Sequence, residues 1–299
     1  MKEGYRGTTE DLYDCWAQWV LHRRHGDDKA ALERLLPVLR SQRDAILDGA
    51  ELCPSDAVLD VGCGDGLLGF GALERLNTMG RVTFSDTSQA LVQHCREVAA
   101  ESDSLSQCAF IVTDLPSLSA IPDGSHDAAV LRSVLIYVED KRRSFENLRR
   151  ILRSGGRISL FEPINRFVLP RSAPHLWGFA VAGLEDIAAK VTQAYESYQP
   201  LDGPMLNFDE RDLLRYAVDS GFMDVRLRYT VDVVRRDNTV SWTTLLKFSP
   251  NPLSPTLDEV LDSVLTRRER EKLTECLQAQ LKRPRTTAAA VAYLSARTL

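Results

Sequence analysis

The spacing of hydrophobic and polar positions changes character near residue 57. Upstream, over residues 9–50, Trp16, Trp19, Val20, Leu32, Leu35 and Leu36 recur at helical spacing, and Gly26-Asp27-Asp28 divides the stretch into two segments. From residue 57 onward, short apolar runs at 57–61, 81–85, 108–112, 127–132 and 156–163 read as strands. Amphipathic helical segments at 66–78, 88–100 and 139–152 lie between or after them. Such alternation predicts an α/β fold, a parallel sheet with helices on both faces. Ser154-Gly155-Gly156 is expected to end the last of these helices and return the chain to the sheet.

The alternation lapses after Pro163. Residues 164–207 carry Pro170, Pro174, Pro200 and Pro204 around a helical stretch at 183–198, the pattern of a lid inserted after a strand. A helix at 209–220 stops at Gly221, and a strand follows at 225–234. A second insertion, 240–286, holds Trp242, a proline-broken loop and a charged helix, and a strand at 288–294 closes the chain. The expected organisation is a helical N-terminal cap over 1–50 and a ligand-binding core over 51–299, interrupted at 164–207 and 240–286.

The strongest local signal is Val58-Leu59-Asp60-Val61-Gly62-Cys63-Gly64-Asp65-Gly66. An apolar strand runs into three alternate glycines, and an apolar helix opens at once. Glycines there let the backbone approach a ligand, and a helix N-terminus offers free N–H groups. Gly64-x-Gly66-x-x-Gly69 also fits the dinucleotide fingerprint, with Asp86 as its ribose acid. The register opposes that reading, because the first glycine after the strand is Gly62.

The longer pattern resembles motif I of the class I S-adenosylmethionine (SAM)-dependent methyltransferases. Four further stretches follow in that family's order: Val82 to Asp86, Phe110 to Asp114, Ser125 to Leu131, and Leu148 to Phe161. Ser154 stands where the family usually has proline. The resemblance implies a Rossmann-like, seven-stranded, mostly parallel sheet of order 3-2-1-4-5-7-6, with S-adenosyl-L-methionine as cofactor. It implies that Gly62, Cys63, Gly64 and Gly66 meet the methionine part and that Asp60 holds its ammonium end. Asp86 would accept from the ribose hydroxyls and Asp114 from the adenine amine, with Thr87 and Leu115 around the ring. Arg132 would face the methionine end.

Methyl transfer relies on alignment, and a base is needed only if the acceptor loses a proton. Glu162, after an apolar strand, is a candidate base or a structural carboxylate paired with Arg166 or Arg132. His175 is a second catalytic candidate, in the lid, whereas His126 is expected to face solvent at the far end of the sheet. Trp16, Tyr137, Trp177 and Tyr195 are candidates to line an acceptor pocket, with Phe179 and Tyr198 adding aromatic surface. Tyr13-x-x-Trp16-x-x-Trp19 with Arg23-Arg24 resembles the helical cap of small-molecule members. If Arg23, Arg24, Arg166 or Arg171 turns inward, the acceptor is anionic.

Composition narrows the partners. A net charge of −5 gives no electrostatic footprint for nucleic acid. Arg132-Ser133-Val134-Leu135 also replaces the Asn/Asp-Pro-Pro-Tyr motif of nucleic-acid amino-methylating members. No apolar run approaches the ~18 residues of a membrane span, and Met1 to Asp14 is too polar for a secretory signal. The six scattered cysteines include no CxxC, which argues against a metal site and for the reducing cytoplasm. Arg267 to Lys272 reads as a solvated face or a contact in a homo-oligomer. The expected activity is methyl transfer to a small-molecule acceptor. The rivals are a SAM enzyme of non-methylating chemistry, such as cyclisation or decarboxylation, and a SAM-binding regulatory protein.

Overall fold

The structure, a computed structural model, describes residues 14–167, 174–236 and 240–299. Tyr13, Pro170 and Arg171 lie outside the described residues. Two helices open the described chain, α1 (Cys15–Leu21) and α2 (Lys29–Gly49), joined through a 3-10 turn at Arg23–His25. The alternating unit comprises β1 (Ala57–Val61), α3 (Leu67–Leu73), β2 (Arg81–Asp86), α4 (Gln89–Glu101), β3 (Cys108–Val112), β4 (His126–Arg132), α5 (Lys141–Ile151) and β5 (Leu152–Pro163). A small hairpin, β6 (His175–Leu176) and β7 (Phe179–Ala180), precedes α6 (Glu185–Glu196) and α7 (Glu210–Asp219). The remainder is β8 (Met223–Arg236), α8 (Trp242–Lys247), α9 (Leu257–Val264), α10 (Arg267–Leu281) and β9 (Arg285–Arg297).

Seven strands form one sheet of order β3-β2-β1-β4-β5-β9-β8. Strand β9 runs antiparallel to both its neighbours, and the other pairings are parallel. With the β6–β7 hairpin set apart, this is the expected order. Helices start where the sequence supplies caps. Ser88 accepts from the Leu91 N–H at 3.0 Å to open α4, and Asp209 with Asp212 forms a reciprocal capping box at α7.

The sheet is buried on both faces, as a parallel sheet must be. One face packs Leu59, Val61, Leu131 and Leu160 against Phe145, Leu148 and Leu213. The other packs Val58, Val82, Phe84 and Val130 against Ile46, Leu47 and Leu68. The N-terminal segment therefore divides in role: α2 is a layer on the sheet, while α1 reaches the strand ends.

Three local expectations change. Helix α3 stops at Leu73 rather than 78, because the Asn77 N–H leaves the helix ladder and donates to the Pro54 carbonyl at 2.8 Å. Strand β5 begins at Leu152, paired with His126, so Ser154–Gly156 forms a bulge in which Gly155 has φ +73°. His126 is 7% exposed, not solvent-facing, with Nε2 3.1 Å from Thr83 Oγ1 and Nδ1 2.8 Å from Ser125 Oγ. The two insertions also share one apolar core. Leu176, Phe179, Val191 and Tyr195 pack with Leu245, Leu257, Leu261, Leu273 and Leu277.

Candidate functional site

The C-terminal ends of β1, β2, β3 and β4 meet at a cavity of about 230 Å³. Its wall begins with the glycine turn. Gly62 has φ +65°, and a Cβ there would sit 2.6 Å from Val134 Cγ2, so both backbone shape and space require glycine. The turn is pinned to the sheet: the Cys63 N–H donates to the Ser85 carbonyl at 2.9 Å, and the Gly64 N–H donates to Asp86 Oδ2 at 3.0 Å.

Three acids reach the cavity from successive strands. Asp60 is 1% exposed, and its Oδ2 accepts from the Gly69 N–H at 2.8 Å. The first turn of α3 is therefore partly spoken for by this carboxylate. Burial raises the Asp60 pKa to about 7; the Gly69 bond and Arg132 oppose the rise, and Asp86 and Asp65 add to it. Asp86 accepts from the Ser88 N–H at 2.9 Å through Oδ1, and burial raises its pKa as well. Asp114 accepts from the Ser117 hydroxyl at 2.6 Å. Arg132 donates to Gln42 Oε1 at 3.3 Å, and burial followed by the nearby Arg24 charge lowers its pKa.

Helix α1 and the turn after it cover this cavity. Trp16, Trp19, Val20 and Arg24 line it from one side, and Tyr137, Val138 and Pro252 complete the cover. Trp16 meets Tyr137 edge-on, with ring centroids 4.8 Å apart. The Trp19 indole N–H donates to the Ser249 carbonyl at 2.9 Å, and Arg24 Nη2 donates to Asp65 Oδ2 at 2.5 Å.

Of the residues implied to hold the cofactor, Asp60, Gly62, Cys63, Gly64, Asp86, Thr87, Asp114, Leu115 and Arg132 all line the cavity. Gly66 does not; with φ +82° it forms the turn that starts α3. The catalytic candidates fare differently. Glu162 is fully buried, and its carboxylate accepts from the Val134, Leu135 and Ile136 N–H groups at 2.9, 2.9 and 3.2 Å. Both oxygens are thus occupied by the backbone turn behind the cavity wall. Its pKa stands at about 7 because burial outweighs those three bonds. His175 sits half-buried on the β6–β7 hairpin and does not line the cavity.

Among the acceptor candidates, Trp16, Arg24 and Tyr137 reach the cavity. Arg23 instead lies 3.6 Å from Glu259, and the exposed Arg166 lies 3.9 Å from Asp209. Trp177 and Tyr195 pack together in the lid core, ring centroids 5.0 Å apart, and Tyr195 has no part in the cavity wall. Sequence reasoning did not assign Asp65, Thr113, Val134 or Pro252 to the wall. Asp65 could have been found, since it stands inside the glycine turn. Pro252 carries no local signal, because its position depends on how the second insertion folds back.

A glycine turn and acids at successive strand ends define a Rossmann-like site for an adenosine-type cofactor. Residues 58–156 match the family described as methyltransferase domain. An uncharacterized 37.1 kDa protein in transposon TN4556 of Streptomyces fradiae is 29% identical over 184 residues, 61% of this chain and 48% of that protein. The match thus spans about half that relative's length. The ubiquinone/menaquinone biosynthesis C-methyltransferase UbiE of Francisella philomiragia subsp. philomiragia is 23% identical over 171 residues, 57% of this chain and 68% of that protein. Two solved structures share the fold. Phosphoethanolamine N-methyltransferase 2 of Haemonchus contortus has a TM-score of 0.52 at 16% identity, over 86% of this chain and 52% of that one. Geranyl diphosphate methyltransferase has a TM-score of 0.50 at 19% identity, over 90% of this chain and 88% of that one. The matched segment, residues 58–156, and the shared fold support a class I SAM-dependent methyltransferase, with S-adenosyl-L-methionine as cofactor. Among the described residues no helix is long and apolar enough to cross a membrane.

Proposed function

We propose that this protein transfers a methyl group from SAM to a small-molecule acceptor enclosed between α1 and the lid. The observation that carries the reading is the convergence of the glycine turn with Asp60, Asp86 and Asp114 on one covered cavity. The donor set suits the cofactor: carboxylates for an ammonium, for ribose hydroxyls and for an amine, and backbone groups at a glycine turn. When bound, SAM supplies an electrophilic methyl whose carbon–sulfur bond breaks with the electron pair retained by sulfur.

The protein's own contribution is orientation and exclusion of water. Trp16, Trp19 and Tyr137 cover one side of the cavity. Burial and the Glu162 charge keep the Tyr137 phenol protonated, so it serves as a hydrogen-bond donor rather than a base. Alignment alone contributes several kcal/mol, on the order of 7–11 kcal/mol in favourable cases. The cap and the two insertions with their shared core together form, on this reading, an acceptor-binding unit set on the SAM-binding core.

Calorimetric titration with SAM, with NADH as control, tests the reading. SAM should bind and NADH should not. Turnover should yield a methylated acceptor with S-adenosylhomocysteine. Methylthioadenosine as product, or tight SAM binding without turnover across a broad acceptor panel, would count against methyl transfer.

A further inference from the structure

A second cavity, of about 490 Å³, lies beside the first and shares one wall residue with it, Arg24. None of the motifs read from the sequence accounts for it. Its apolar wall comes from the lid core and its approach loop, chiefly Trp177, Leu245 and Phe248. The start of β9 contributes Arg285, Thr287 and Ala288.

The charge in this cavity is unbalanced. Arg285 Nη1 donates to the Trp177 carbonyl at 3.2 Å, and its guanidinium lies 4.7 Å from the centre of the Phe179 ring. Both partners are neutral, and among the described residues no carboxylate forms an ion pair with Arg285. Burial alone depresses its pKa. The Arg24 side chain is 9% exposed; one guanidinium nitrogen pairs with Asp65, and its Nε is buried without a partner. His25, also in the wall, has Nε2 2.9 Å from the Leu21 carbonyl, so that nitrogen carries the proton. Its Nδ1 is buried without a partner. Asp28 accepts from the hydroxyl of the wall residue Thr244 at 2.8 Å and is not itself a wall residue. Buried polar atoms are ordinarily satisfied, and the unpartnered Arg24 Nε donor, beside a cation with no carboxylate partner among the described residues, points to a missing ligand that accepts.

We propose that this cavity is the acceptor subsite, and that it takes a small molecule with an aromatic or branched apolar body and one carboxylate or phosphate group, anchored by Arg285. Trp177, Leu245 and Phe248 cover the body. Arg24, common to both cavities, sets the acceptor beside the cofactor. The assignment rests on the methyltransferase reading above.

The test uses the protein loaded with S-adenosylhomocysteine. Benzoate, 2-naphthoate and phenyl phosphate are titrated by calorimetry beside their neutral amides or methyl esters. At least one anion should bind tenfold or more tightly than its neutral counterpart, and comparing the carboxylates with phenyl phosphate identifies the preferred group. Arg285→Gln should remove that preference, Arg285→Lys should keep most of it, and S-adenosylhomocysteine affinity should stay within about twofold in both. A second variant, Ala288→Trp, fills the cavity without replacing Arg285 and should abolish anion binding at unchanged S-adenosylhomocysteine affinity. Equal binding of charged and neutral probes overturns the assignment, as does a preference that survives in both Arg285→Gln and Ala288→Trp. Competition between the anion and S-adenosylhomocysteine also overturns it, since the anion would then occupy the first cavity. Failure of the wild-type protein to bind S-adenosylhomocysteine refutes the methyltransferase reading instead, and is seen before any anion is added.

Discussion

Lowering the pH from 7.5 to 5.5 should weaken cofactor binding through Asp60. Its carboxyl sits at about 7 because burial disfavours the charge. Relative to an ordinary value of 3.8, that is a penalty on ionisation of about 4 kcal/mol. An ammonium beside it favours the ionised form, so binding selects the deprotonated protein. The sign follows: below about 7 the free protein holds a proton that the complex releases, and affinity falls as pH falls. The competent fraction drops from about three-quarters at pH 7.5 to about 3% at pH 5.5, a loss of roughly 25-fold in affinity. An α-amine of pKa about 7.7–8.0 only gains protons as pH falls through this range, which would favour binding, so the loss belongs to the protein. Asp60→Asn should bind about tenfold or more weakly at pH 7.5 and show a flat profile, having lost a charge-assisted hydrogen bond worth about 1.5–3 kcal/mol. Calorimetry with S-adenosylhomocysteine in two buffers of different ionisation enthalpy counts the protons. Near pH 6 the wild type should release about 0.9 proton and the variant none. Parallel pH profiles for the two proteins would refute the reasoning.

Other outcomes follow from the same geometry. Glu162→Ala strands three buried N–H groups and should cost about 3 kcal/mol in chemical denaturation. If Glu162→Gln instead removed a limb of the pH–rate profile at unchanged stability, Glu162 would be a base after all. Glu162 and Asp60 are both acids raised to about 7, so their penalties are absent below their unfolded values and full above 7. The free protein should therefore lose stability as pH rises from about 5 to 7.5, and Asp60→Asn should flatten that slope in thermal melts. His126, lowered to about 4 by burial, acts oppositely and should cost stability as pH falls from 6.5 through 4. Gly69→Ala improves helix propensity by about 1 kcal/mol, yet its Cβ would fall 2.2 Å from Phe84 Cε1. Overpacking should win, with a net loss of about 1–3 kcal/mol by urea denaturation. Asp86→Asn should raise the SAM dissociation constant about tenfold and leave the melting temperature within a few degrees, since an amide oxygen can still accept one of its two backbone bonds.

The cofactor half of the site was legible because its chemistry is local. A strand that runs apolar and ends in an acid puts Asp60, Asp86 and Asp114 at one edge of a parallel sheet without any tertiary detail. The glycine turn carries its own register, and Gly62 directly after the strand argued against the dinucleotide reading. What failed depends on packing between distant segments. Strand β5 is buried on both faces, so alternation could not reveal that Glu162 turns to the 134–136 backbone and away from the cavity. His126 looked exposed because neither Thr83 nor Ser125 announces itself as its partner. The lid aromatics read as a pocket from composition, yet Tyr195 packs into the lid core, while Pro252, which does reach the cavity, sits in a loop with no periodicity.

The two fastenings of α1 bear on time rather than on shape. Trp19 holds Ser249 across 230 positions of chain, and Arg24 holds Asp65 inside the glycine turn. Lifting this cover from the cavity requires both to let go. Exchange through this side then needs only local opening of α1 and the 3-10 turn after it, an event far cheaper than unfolding the sheet beneath. Loosening the clasp should quicken exchange while the sheet melts where it did before.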